Sequence, residues 1–155
     1  MKRTIGLTLL LMAACSAYAE KKLEVINLAP GSVSAEDAER GQRHKAAQEA
    51  AAKIQPAEAM DFMVRLNNTV EQGHSLAKSG AMNGTQSRNQ AIALNKLKEE
   101  GARFGTLFTP FAQCNNAGID AAASWQGLIA NDSKRFTESH MSYLKAAAEC
   151  IKAAS

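Results

Sequence analysis

The chain is poor in the residue patterns that carry recognisable chemistry. It has no C-x-x-C, no two histidines four residues apart, no G-x-S-x-G and no glycine-rich run able to cradle a phosphate. These absences remove the usual signatures of a redox dithiol, a helical zinc site, a serine nucleophile and a nucleotide loop. Long hydrophobic runs are also missing: the apolar stretch from Ile5 to Ala14 is too short to hold a bilayer as a stable anchor. No block of Lys and Arg interleaved with aromatics occurs, so nucleic acid is not an expected partner. The chain has 18 Lys and Arg against 15 Asp and Glu; without Lys2 and Arg3 these become 16 and 15, so the basic balance belongs largely to the first residues.

Those first residues read as an export signal. Lys2 and Arg3 precede the apolar stretch, and Ala17-Tyr18-Ala19 supplies an A-x-A cleavage site before Glu20. The expected organisation is a signal peptide over 1–19, an irregular arm or tether over 20–34, and a helical domain over 35–155. The expected location is the periplasm or the exterior. Met12-Ala13-Ala14-Cys15 resembles the lipobox of bacterial lipoproteins, which implies an alternative: lipidation at Cys15 and an anchor in the outer membrane. A membrane association is expected on that route alone. On either route Cys15 is removed or consumed, and Cys114 and Cys150 remain as a pair in an oxidising compartment.

The pair is placed for a bridge. Cys114 and Cys150 are equidistant from Asp132, in the turn-like run Asn131-Asp132-Ser133 between two apolar-periodic segments. Folding back there brings both thiols to one height, and both lie on apolar stripes: Phe111, Cys114, Gly118, Ala121, Trp125 and Leu128 before the turn; Phe136, His140, Tyr143, Ala147 and Cys150 after it. A Cys114–Cys150 disulfide follows, because a bridge needs Cα atoms within about 7 Å.

The rest of the pattern is helical, and the fold class is all-α: an up-and-down bundle of four to five helices closed by one disulfide and preceded by the irregular arm. Ser34 with Asp37 fits a capping box for a first helix running to Gln55, rich in alanine and charge and weakly anchored by Ala46, Ala47, Ala50, Ala51 and Ile54. Pro56 opens a second helix through Phe62, Met63, Leu66 and Val70, ended at Ser79-Gly80. A third carries Leu94, Leu97, Gly101, Phe104 and Phe108. Thr109 and Pro110 fit the N-cap and first position of a fourth.

Candidates for function are few. His44 is expected in solvent, and His74, His140 and Met141 are the weak candidates for a soft metal; no cofactor is expected. Glu99-Glu100 reads as a solvated face. Asn67, Asn68, Asn115 and Asn116 are polar insertions suited to a contact surface, and Trp125 or Phe108 is suited to anchor a partner. The leading expectation is a non-enzymatic exported interaction module, an inhibitor or immunity-type protein binding a secreted toxin or hydrolase. The alternatives are a lipidated escort of an envelope machine and a metal- or haem-binding bundle. A protein partner is expected in the first two; oligomeric state has no sequence signature.

Overall fold

The structure is a computed structural model, and it describes residues 34–155. The leader, its cleavage after Ala19, Cys15 and positions 20–33 of the arm lie outside the described residues. Five α-helices follow in order: α1 (Ala35–Ala51), α2 (Pro56–Lys78), α3 (Gly84–Gly101), α4 (Ala112–Ile129) and α5 (Ser133–Ala154), with one 3-10 turn over Ala102–Phe104. Among the described residues there is no strand, and no helix is long and apolar enough to cross a membrane.

Helix starts are set by local chemistry. The Ser34 side chain accepts from the Asp37 N–H at 3.1 Å, the Glu58 carboxylate accepts from the Gln55 N–H ahead of Pro56, and Asn83 and Gln86 form a reciprocal box for α3. The first helix stops at Ala51, short of Gln55, because Gln55 is spent on the start of α2. Helix α1 is nevertheless sustained mostly by itself. Pairs spaced by one turn, Glu36–Arg40, Glu39–Arg43 and Lys45–Glu49, run along its exposed surface, and Ala51 is its one buried residue. It meets the rest of the chain at its C-terminal end, where Gln48 donates to Thr106.

Helices α4 and α5 form the hairpin expected from the sequence, and its turn explains the Asn-Asp pair. Asn131 sits in the left-handed region at φ 56°, its N–H donates to Leu128 O, and the Asp132 N–H donates to Gly127 O. This is the Schellman closure of a helix, for which asparagine is the usual substitute for glycine. Asp132 then caps α5 by accepting from the Arg135 N–H. Cys114 and Cys150 are disulfide-bonded with Cα atoms 5.0 Å apart, and both are fully buried.

The two helices approach so closely that Gly127 has no room for a side chain: a Cβ there would stand 2.6 Å from the Phe136 backbone nitrogen. Gly127→Ala is therefore expected to force the hairpin apart and to cost about 1–3 kcal/mol, read as a lowered urea midpoint.

The core lies between α2, α3, α4 and α5 and is built on Phe62, Met63, Leu66, Leu94, Phe104, Trp125 and Tyr143. Polar ties cross it. Gln90 donates to the Thr69 carbonyl of α2, the Trp125 indole N–H donates to Ser87 O, and Tyr143 O–H donates to the Asn67 amide oxygen. Glu100 corrects the expectation of a solvated carboxylate: it takes both ends of the Arg65 guanidinium, at 2.7 and 2.6 Å, joining α3 to α2. That hydrogen bonding holds Glu100 below the usual carboxylate range and raises Arg65.

Candidate functional site

The segment from Phe104 to Phe111 departs most from the helical reading. Phe108 was expected on the apolar face of the third helix; instead the 3-10 turn ends at Gly105, whose φ of +79° no β-carbon-bearing residue adopts cheaply, and the chain leaves the helical path. Thr109 and Pro110 do not open α4, which begins at Ala112 with Phe111 in the cap position. The Thr109 hydroxyl reaches the carbonyls of Phe104 and Thr106 at 2.7 and 2.9 Å, so it closes the loop rather than capping the helix.

The loop is held firmly at its base. Asn115, from the first turn of α4, donates to Gly105 O at 2.9 Å, and Gln48 from α1 holds the Thr106 hydroxyl. Outer aromatics Phe104 and Phe111 are buried in the core. The inner pair does the opposite: Leu107 is 74 % exposed and Phe108 is 102 % exposed. Phe108 also adopts φ 72°, a conformation that a bulky side chain rarely takes and that tends to persist where the surroundings impose it. Two large apolar side chains thus stand in solvent on an anchored loop, leaving roughly 1.5–3 kcal/mol of burial energy per side chain for whatever covers them.

The other expected contact residues are scattered. Trp125 is only 2 % exposed and is a core residue; no partner can touch it without opening the fold, so the anchor expectation passes to Phe108. Asn115 is buried beneath the loop and acts as its support, which corrects the contact reading for that residue. Asn67 is half-buried and engaged by Tyr143. Asn68 lies on the exposed face of α2 beside Arg65 and Lys96. Asn116 pairs with Gln113 at the rim of a cleft of about 240 Å³ between α4 and α5, where burial also raises the Asp120 carboxyl.

The histidines are partly brought together. His74 of α2 and His140 of α5 meet with ring centroids 4.9 Å apart, Phe136 stacks on His140 at 5.5 Å, and Tyr143 lies 5.8 Å from it. Met141 does not join them: it is 62 % exposed on the surface of α5. Among the described residues no group of three or more His, Cys, Asp or Glu is placed to hold a metal ion. Burial lowers the His74 imidazole below its ordinary value, helped by His140 and Lys78, and burial alone lowers His140. Tyr143 is pushed up to about 12 by burial, with Glu71 adding to it. His44 is exposed on α1, as expected.

One of these features had a sequence signal that the periodicity concealed: Gly105 and Pro110 bracket Thr-Leu-Phe-Thr with turn formers. The meeting of His74 with His140 has no local signal.

The described residues define a disulfide-closed all-helical scaffold that displays one apolar loop tip. No protein-family model, no curated protein and no solved structure matches the chain.

Proposed function

We propose that the protein is a non-enzymatic, exported binding module of inhibitor or immunity type, which seats Leu107 and Phe108 in an apolar cleft of a secreted toxin or hydrolase. The observation that carries this reading is the complete exposure of Phe108 on a loop anchored from three sides. An aromatic carried on an anchored loop backbone requires little loop ordering on docking, which favours a binding hot spot. The up-and-down arrangement of α2 to α5, closed by Cys114–Cys150, supplies the rigid support, and the disulfide fits an oxidising compartment. Helix α1 braces the loop through Gln48.

The test is a comparison of wild type with the Leu107→Ser/Phe108→Ser variant in capture from an oxidising extract, followed by titration of the captured protein. Both side chains are outside the core, so the variant is expected to keep its helicity and unfolding midpoint. Its affinity is expected to fall about 30- to 1000-fold, the loss typical of removing a hot spot. Equal binding by wild type and variant would overturn the assignment of the tip, and an absence of any saturable partner would overturn the module itself.

A further inference from the structure

We propose that the contact of His74 with His140 is a proton-operated latch: with both imidazoles neutral the α2–α5 seam is closed, and their protonation parts the C-terminal half of α2 from the α4–α5 hairpin.

The geometry is that of two like groups forced together. The rings are 4.9 Å apart across two helices, and each also packs on Phe136, edge-on for His74 and face-on for His140. Among the described residues neither has a carboxylate to share its charge, and the buried His140 Nδ1 has no hydrogen-bond partner, so a second proton on that ring would have nowhere to donate. Two imidazolium rings at this separation repel each other in a half-buried setting where water screens them incompletely.

The surrounding charges do not relieve this. On α2, Lys78 bears on His74 with the same sign, and Glu71, one turn earlier, acts on the Tyr143 phenol rather than on either imidazole. On α5, Glu138 is paired with Lys134 on the exposed surface. Helix α4 approaches Phe136 through Gly127, and α3 covers Gly73 with the uncharged Gln90; neither helix places a charge that acts on the pair. The lowered values of both rings agree with this arrangement.

The hinge follows from what is fixed. The α4–α5 hairpin is stapled at one end by Cys114–Cys150 and held at the other by the Asn131 turn, so it moves as a unit. Helix α2 is tied to α3 at Thr69 by Gln90 and at Arg65 by Glu100, and α3 is in turn tied to α4 by the Trp125–Ser87 bond, so α3 stays with the hairpin and the turns of α2 beyond Thr69 are the ones that part. Tyr143–Asn67 marks where the opening stops.

The sign is determined by linkage. A histidine whose folded value is lowered binds fewer protons in the native state than in the unfolded one, so stability is complete above the ordinary value near 6.5 and declines as pH falls through the folded values. At its steepest, the unfolding constant is expected to rise up to about 100-fold per pH unit, the signature of two protons taken up.

The experiment uses the disulfide-intact protein. Imidazole titration by NMR is expected to place both rings below the ordinary value. Hydrogen exchange, corrected for intrinsic pH dependence, is expected to accelerate at least 10-fold in the last turns of α2 and around Phe136–Tyr143 between pH 7.5 and 5. In His74→Phe/His140→Phe that acceleration should vanish. Seam amides that are insensitive to pH in the wild type, or that loosen equally in the variant, would overturn the latch. Were the variant not to fold, the wild-type exchange map would decide alone, since acceleration spread evenly over α3 and α4 also contradicts it. Failure of the latch leaves the role of Leu107 and Phe108 untouched, because that loop lies on other elements.

Discussion

Replacing Cys114 and Cys150 together by alanine is expected to lower stability by about 4 kcal/mol, measured as the urea unfolding free energy against the oxidised wild type. The bridge closes a loop with a sequence separation of 36, and in the chain-entropy model the unfolded chain regains that much freedom when the loop is released. Both cysteines are fully buried between α4 and α5, so the variant also loses packing at the open end of the hairpin. Against the 5–15 kcal/mol typical of a domain this is a large share. Burial has a kinetic corollary: reductant reaches the bond only when the hairpin opens, so mild reduction at neutral pH should be slow and should accelerate with urea. A loss below about 1 kcal/mol would mean that helix packing alone holds the hairpin and that the bridge is incidental.

Phe62→Ala is expected to cost about 3–5 kcal/mol, the range for emptying a fully buried aromatic site. Phe62 is wholly buried on α2, packs its ring 4.9 Å from that of Phe104, and points its edge at two positions that have no side chain. A Cβ at Gly101 of α3 would come within 3.2 Å of it, and one at Gly118 of α4 within 3.5 Å. One ring therefore fills the space where three helices and the 3-10 turn converge, and flanking backbone cannot collapse into the void. Phe108→Ala is the matched control. That ring touches solvent instead of core, so its removal should leave the unfolding midpoint within about 0.5 kcal/mol of wild type. Similar losses from the two substitutions would mean that Phe108 is packed after all.

The difference between these two phenylalanines shows where the sequence stopped being readable. Both fall on three-four spacing, and the same spacing correctly identifies Phe62, Met63, Leu66, Leu94 and Leu97 as buried. Spacing alone cannot show that a helix has already ended. At Gly105 a positive φ breaks the path, and Phe108, which continues the rhythm three positions later, sits in a loop. Asn115 was legible as a polar residue on a helix, but its role is decided by the carbonyl of Gly105 ten positions earlier, to which it donates. Glu100 was misread for a similar reason: its partner, Arg65, lies on another helix.

What the amino-acid order determined by itself is the set of features that depend on near neighbours. The caps at Ser34, Gln55 and Asn83, the turn at Asn131-Asp132, the helical character and the matched height of Cys114 and Cys150 all follow from residues within a turn or from a symmetrical hairpin. The tertiary structure decided which side chains meet across helices and which are left uncovered. The pairing of His74 with His140, the burial of Trp125 and the exposure of Phe108 depend on rotations and offsets between helices. Those are set by the summed packing of the whole core, and no short window of sequence encodes them.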